Sequence, residues 1–136
     1  MDHTNLIFRS LTDIEENIHE KLTVESLAAS IHLSKFHYQR MFREAVGDSV
    51  MRYVTRRKLS LAAKDLAETD DSILEIALKY GYDSHEGFTR SFRAHTGVSP
   101  KEYRKYHLSI NSPQTQKERN AMFYSKTTDE IIQTLN

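Results

Sequence analysis

The stretch Ser34–Gly47, "SKFHYQRMFREAVG", returns 50 positions later as Ser84–Gly97, "SHEGFTRSFRAHTG". The copies share Ser34/Ser84, Arg40/Arg90, Phe42/Phe92, Arg43/Arg93 and Gly47/Gly97, and the register continues without a gap. Gly47-x-Ser49-x-x-x-Tyr53 therefore lies over Gly97-x-Ser99-x-x-x-Tyr103. A serine before and a glycine after an amphipathic run mark the start and stop of a helix. Upstream of each copy stands a short apolar segment, "VESLAASIHLS" and "SILEIALKYGYDS". Their Leu27-Ala28 and Ile76-Ala77 pairs correspond once a one-residue difference in the turn is allowed. A short helix leading through a tight turn into a longer one, with small alanines permitting close packing, is the sequence form of a helix-turn-helix. A solenoid needs roughly three or more repeats to bury its faces, and only two are present.

The rest of the chain fits this frame. Leu6, Ile7, Leu11, Ile14 and Ile18 recur at three and four residues, predicting a first helix over about 5–20. Thr23 caps a helix over 24–31, and Ser34 caps one over 35–46 that Gly47 stops. Ser49 opens a long helix to about residue 68. Ser72, with Glu75 at the capping-box position, starts a helix over 73–80 ended by Gly81. Ser84 opens 85–95, closed by Gly97, and Ser99-Pro100 starts a last helix through 106. With four glycines and two prolines in 136 residues, the prediction is an all-α chain of seven helices. These form a tandem helix-turn-helix: two homeodomain-like three-helix units joined by a long linker helix. The first motif is placed at about 24–46, the linker at 49–68 and the second motif at 73–95, all within a domain over 1–107. Residues 108–136 read as a polar linker, "SINSPQTQ", and a tail in which Thr127 and Glu130 form a capping box before Ile131, Ile132 and Leu135.

Charge separates along the chain although the formal net charge is zero. Residues 1–33 carry Arg9 and Lys21 against Asp2, Asp13, Glu15, Glu16, Glu20 and Glu25. Residues 34–64 carry Lys35, Arg40, Arg43, Arg52, Arg56, Arg57, Lys58 and Lys64 against Glu44 and Asp48. The block 65–88 is acidic, and 89–107 is basic again with Arg90, Arg93, Lys101, Arg104 and Lys105 against Glu102. Each basic block contains or overlaps one copy of the repeat, which points to a polyanion meeting two separate patches.

At about 100° per residue the repeated helices sort into faces. Tyr38, Met41, Phe42 and Ala45 fall inward, as do Phe88, Ser91, Phe92 and His95. Phe36, Gln39, Arg40 and Arg43 fall outward, as do Glu86, Thr89, Arg90 and Arg93. Glutamine can bond adenine bidentately, arginine can bond guanine bidentately, and a phenyl ring can pack on thymine methyls. Phe36 can alternatively tuck against a neighbouring helix. Glu86 can accept from cytosine N4, repel phosphate, or pair with Arg90 four residues on. A linker of about 20 residues would be about 30 Å long, close to the roughly 34 Å between successive major-groove faces. Arg52, Arg56, Arg57 and Lys58 would then come near phosphates, and the helix N-termini capped by Ser34, Ser49, Ser84 and Ser99 would offer N–H groups. Phosphate contacts are expected from Ser34, Lys35, Arg43, Arg52, Arg57, Thr89 and Arg93.

Across Lys58-Leu59, Ile76-Ala77, Gly81-Tyr82, Phe88, Phe92, Gly97 and Ser99-Pro100-x-x-Tyr103-Arg104, the chain resembles the DNA-binding domain of AraC/XylS-type bacterial transcription regulators. The resemblance covers roughly residues 6–106. It implies base contacts from Phe36, Gln39 and Arg40 in the first reading helix, and from His85, Glu86, Gly87 and Arg90 in the second. Many members carry tryptophan where Phe36 stands and glutamine near Glu86. The resemblance further implies a cytoplasmic activator of bacterial promoters whose partners are double-stranded operator DNA and RNA polymerase. Either it stands alone or a small-molecule effector acts through a further domain, and the linker and unfinished helix after Ser109 favour the second arrangement.

Other classes fit poorly. No nucleophile motif, HExxH, carboxylate–histidine metal set or glycine-rich phosphate loop is present, so an enzyme, a metal or a cofactor is not expected. The absence of cysteine rules out a disulfide framework. No stretch approaches the roughly 20 apolar residues of a membrane helix, and "MDHTNLIFRS" is not a secretory signal. An all-helical protein-interaction adaptor remains the alternative, but it leaves the outward, paired arginines unexplained.

Overall fold

The computed structural model describes residues 3–109. Within them are seven α-helices and no strand: α1 (His3–Glu16), α2 (Val24–Ser30), α3 (Lys35–Val46), α4 (Val50–Glu68), α5 (Ile73–Lys79), α6 (His85–Thr96) and α7 (Pro100–Ser109). The expected polar linker and the Thr127-capped helix lie outside the described residues. The chain divides into two compact units at Thr55/Arg56, inside α4.

In the first unit α1, α2 and α3 pack on one another. Ile7, Leu11, Ile14 and Ile18 supply the buried stripe of α1 and its exit; Leu27 and Ala28 come from α2, and Tyr38, Met41 and Phe42 from α3. Each large side chain buried this fully contributes about 1.5–3 kcal/mol. Tyr38 brings a hydroxyl into this core, where it hydrogen-bonds the buried Ser10 hydroxyl. Burial pushes the Tyr38 phenol up to about 12, against the opposing pull of that bond. The predicted first helix ran four residues further than α1 does. At Asn17 the backbone N–H still donates to the Asp13 carbonyl at 3.1 Å, with Nδ2 sharing that oxygen at 2.8 Å, and beyond it the chain tightens into turns, the Ile18 N–H reaching Glu15 and the Glu20 N–H reaching Asn17.

In the second unit the core is Leu59, Ala62, Ala63 and Leu66 of α4, Ile76 and Ala77 of α5, Tyr80, Phe88 and Phe92 of α6, and Tyr103 of α7. The end of α4 is tied down from α7. Arg104 Nε donates to the Leu66 carbonyl at 3.0 Å and its Nη2 to the Thr69 carbonyl at 3.2 Å, satisfying oxygens a helix C-terminus leaves free. Asp65 accepts from Lys79 Nζ at 2.9 Å and from the Tyr80 hydroxyl at 2.7 Å. Burial, then the Asp65 carboxylate, raises the Tyr80 phenol.

The two units repeat each other in detail. Phe42 meets Tyr53 edge-on at 5.6 Å and Phe92 meets Tyr103 edge-on at 5.5 Å, which explains the repeated Gly-x-Ser-x-x-x-Tyr. Gly47 and Gly97 both take φ of 85° and donate to the Arg43 and Arg93 carbonyls. That left-handed stop suits a residue without a Cβ.

Candidate nucleic-acid interface

Each reading helix is fixed at its N-terminus by a cap. The Ser34 hydroxyl accepts the His37 N–H at 3.2 Å, and the Ser84 hydroxyl accepts the Gly87 N–H at 3.0 Å. At Gly87 a Cβ would stand 3.2 Å from Ser84 Oγ, so the glycine lets this cap sit tight. The turn before each helix is closed alike. Leu33 N–H donates to the Ala28 carbonyl and Tyr82 N–H to the Ala77 carbonyl, both at 3.0 Å. The φ > 0 position falls on Gly81 at 82° in the second turn, but on His32 at 58° in the first.

The aromatic and inner positions of α3 and α6 fall as their spacing predicts. Tyr38, Met41, Phe42, Phe88 and Phe92 are buried, while Ala45, Ser91 and His95 are half-buried. Ser91 bonds the Tyr82 hydroxyl at 2.9 Å, and His95 Nδ1 contacts the Ser91 carbonyl oxygen at 3.0 Å. On the outward side of α3, Phe36 is 74% exposed, so it does not tuck against a neighbouring helix. Arg40 and Arg43 are exposed and Gln39 is half-buried. Gln39, Arg40, Arg43 and Glu44 line one wall of an open groove of about 550 Å³. Val24 of α2 and Ser49, Val50 and Met51 at the start of α4 close the rest of it. The groove thus combines an amide, two guanidiniums, a carboxylate and apolar edges within the first unit.

On α6, His85, Glu86 and Arg90 are exposed and Gly87 is half-buried. Glu86 and Arg90 form no ion pair with each other, so the helix-surface pairing is not made.

The expected phosphate contacts divide. Ser34, Lys35, Arg43, Arg52 and Arg93 are exposed and Arg57 is half-buried. Thr89 departs from its expected role: its hydroxyl oxygen is sealed inside the protein without a hydrogen-bond partner. Residue 89 lies at the edge between the two faces of α6, and packing closed over it. Lys58 departs as well. It is 8% exposed, and its Nζ donates to the Tyr80 carbonyl at 2.8 Å, so its charge serves the second core. Of the four caps expected to offer N–H groups, Ser49 uses its own N–H on Asp48 Oδ1 at 2.9 Å. Glu75 donates its N–H to Ser72, but its carboxylate does not close the expected box.

Sequence reasoning passed over several carboxylates. Glu25 pairs with Lys35 at 3.2 Å, Asp48 with Arg52 at 3.7 Å and Glu102 with Arg93 at 3.3 Å. The Asp48/Arg52 spacing of four was a readable signal; the other two pairs are made by tertiary packing. Glu102 also closes a capping box with Ser99, accepting its N–H at 3.3 Å while the Glu102 N–H donates to Ser99 Oγ at 3.1 Å. The Ser99 bonds, with Arg93 adding, hold the Glu102 carboxyl below its usual range. Among the described residues no group of three histidines or acids could hold a metal ion, and no helix is long and apolar enough to cross a membrane.

A family model described as a helix-turn-helix domain matches residues 27–106. The HTH-type transcriptional activator AarP of Providencia stuartii is 38% identical over 101 residues, covering 74% of this chain and 75% of that protein. A transcriptional regulator with an AraC-type DNA-binding domain from Chromobacterium violaceum has a similar crystal structure. Its TM-score is 0.70 at 26% identity, covering 80% of this chain and 95% of that one. The DNA-binding domain of AdpA, solved in complex with a target DNA, gives a TM-score of 0.69 at 27% identity over 79% of this chain and 94% of that one. With two matching helix-turn-helix units, an outward arginine on each reading helix and these likenesses, the chain belongs to the AraC-type family of helix-turn-helix transcriptional regulators, not to an enzyme family.

Proposed function

We propose that this protein is a sequence-specific, double-stranded-DNA-binding activator of bacterial promoters, working in the cytoplasm. In this reading α3 and α6 are its recognition helices and enter adjacent major grooves. Phe36, Gln39 and Arg40 read bases from α3, and His85, Glu86, Gly87 and Arg90 read them from α6. Ser34, Lys35, Arg43, Arg52, Arg57 and Arg93 hold phosphates. Thr89 is left out because its hydroxyl is buried. The observation that carries the reading is the outward row of α3. There a phenyl ring 74% exposed to water shares the outward side of the helix with Arg40 and Arg43, two guanidiniums without ion pairs that line an open groove. An exposed aromatic among cations gains most from a partner that is both apolar and anionic, and a base stack edged by phosphates is one.

Residues 1–107 form the DNA-binding part in this reading, with 108–136 as a connection to a further domain through which a small-molecule effector would act. Activation would proceed through contact with RNA polymerase. The test is selection of bound sites from random duplexes, followed by titration of the selected site. Arg40→Ala should cost about 1–3 kcal/mol at one base position and relax the preference there. A chain that binds no duplex at low salt would instead be a helical adaptor for other proteins.

A further inference from the structure

Six exposed cations of the proposed interface fall into two classes. Arg40, Arg43 and Arg90 are exposed and form no ion pair among the described residues. Lys35, Arg52 and Arg93 each hold a carboxylate, at 3.2, 3.7 and 3.3 Å respectively. The carboxylates come from three separate places: Glu25 in the first turn of α2, Asp48 in the turn before α4, and Glu102 in the first turn of α7. Both base-reading guanidiniums are therefore open, while three of the phosphate-contacting cations are occupied. The whole chain carries 19 basic and 19 acidic residues, an even balance for a protein that must hold a polyanion.

We propose that Glu25, Asp48 and Glu102 are internal competitors of DNA phosphate that hold down the sequence-independent part of DNA affinity. The inference rests on the DNA-binding reading above. To reach a phosphate oxygen, Lys35, Arg52 or Arg93 must leave its carboxylate, and the anion left behind then faces the DNA backbone. The released cation gains one ion pair and gives up another, so the net gain per contact is small. Non-specific binding is supplied almost wholly by such contacts and is reduced throughout. Base reading by Arg40 and Arg90 meets no such exchange. A regulator that must find one site among very many competing ones depends on its specificity ratio, and weak non-specific binding is one way to raise it. Each pair is solvent-exposed on at least one side and individually weak, so the cations exchange readily.

The same carboxylates have ordinary local roles. Glu25 and Glu102 sit where a negative charge favours a helix N-terminus, and Asp48 accepts the Ser49 N–H. Those roles alone would alter stability and leave DNA binding unchanged. Glu→Gln and Asp→Asn keep the acceptor oxygen and remove the charge.

The experiment titrates a labelled random-sequence duplex with the full chain across a salt series. It compares the native protein, the triple variant Glu25→Gln/Asp48→Asn/Glu102→Gln and a charge-matched control, Asp70→Asn/Asp71→Asn/Glu75→Gln. The control residues are exposed and pair with no interface cation. The first triple should bind about tenfold or more tighter at low salt, from about two- to five-fold per carboxylate. Its log–log salt slope should steepen by about one to three. The control should stay near native. Equal tightening of both triples would assign the effect to net charge and overturn the inference, as would a first triple that matches the native protein in affinity and slope. If the first triple loses its helical signal, Glu25→Gln alone decides, because Glu25 takes no part in the Thr23–Ser26 capping box; a gain of less than about 1.5-fold overturns the inference. A native chain that binds no duplex brings down the DNA-binding reading itself, a result distinct from the others.

Discussion

The two helix-turn-helix units share a skeleton and differ in almost everything they present. Phe42 against Tyr53 and Phe92 against Tyr103 are the same contact to within 0.1 Å, and both reading helices begin at a serine cap and end at a left-handed glycine. Facing outward, the first helix carries Phe36 and Arg40 where the second carries Glu86 and Arg90, and the half-buried Gln39 stands where the second has Thr89 with its hydroxyl turned in. Most repeated letters therefore mark what each unit needs in order to fold, and the unrepeated outward ones are those that would read DNA in the proposed function. The exception runs the other way: Arg40/Arg90 and Arg43/Arg93 are repeated, yet exposed. In the proposed reading their repetition reflects a ligand common to both units, although Arg93 also pairs with Glu102.

The largest test of this shared frame is in the cores. Phe42→Ala and Phe92→Ala, both at fully buried positions, should each cost about 3–5 kcal/mol of stability. Urea denaturation of the two variants should show comparable losses. If one variant were near neutral, the equivalence of the units would fail.

Next in size is the difference between the reading faces. Glu86→Gln should move the preferred pair at one operator position from cytosine toward adenine, a change of about 1–3 kcal/mol in discrimination, with at most about 1 kcal/mol lost in stability from its place in the first turn of α6. Repeating the site selection with the variant would show it. A uniform gain for every sequence would mean that Glu86 acts by repelling phosphate.

The turns differ more subtly. His32 holds a φ of 58° where Gly81 stands at 82°. A side chain in this region costs about 1–2 kcal/mol, part of which glycine gives back through its freedom in the unfolded chain. His32→Gly should therefore stabilise by up to about 1 kcal/mol, and Gly81→Ala should destabilise by at least that much. Calorimetry should find opposite signs.

The smallest effect distinguishes the second unit by pH. His107 is buried, its ring nitrogens have no partner, and its ring centre lies 4.4 Å from that of Tyr103. Burial disfavours the imidazolium and holds its pKa below the usual 6.5. The unfolded chain thus takes up a proton that the folded one resists. The stability this site contributes is fully present above about pH 6.5 and is lost as the pH falls below it. Denaturation at pH 7.5 and pH 5.5 should show a drop for the native chain that His107→Phe reduces.

Much of this was legible beforehand because its causes are local. Serine caps, glycine stops and the 3.6-residue period act within a few positions, and α3, α4 and α6 lie within one residue of their predicted bounds. The outward set on α3 followed from the same angular arithmetic. Residues at the edge of a face were less readable. At Thr89 a few degrees of rotation and one neighbouring side chain decide between solvent and core, and periodicity does not resolve that. The end of α1 was not readable either: after Asn17 the bonds change to three-residue spacing, Ile18 to Glu15 and Glu20 to Asn17, with no glycine or proline to mark it.

By itself, then, the sequence determined the class of fold, the two-fold repetition of its units and the face that each reading helix turns outward. These follow from backbone propensity and hydrophobic spacing, which act at short range along the chain. Tertiary structure decided which charges are free. Lys58 bonds Tyr80 across 22 positions, Arg104 reaches Leu66 across 38, and Glu25 and Glu102 take cations from other helices. A charge acts on whatever lies within a few ångströms in space, and only the packed chain brings those partners together.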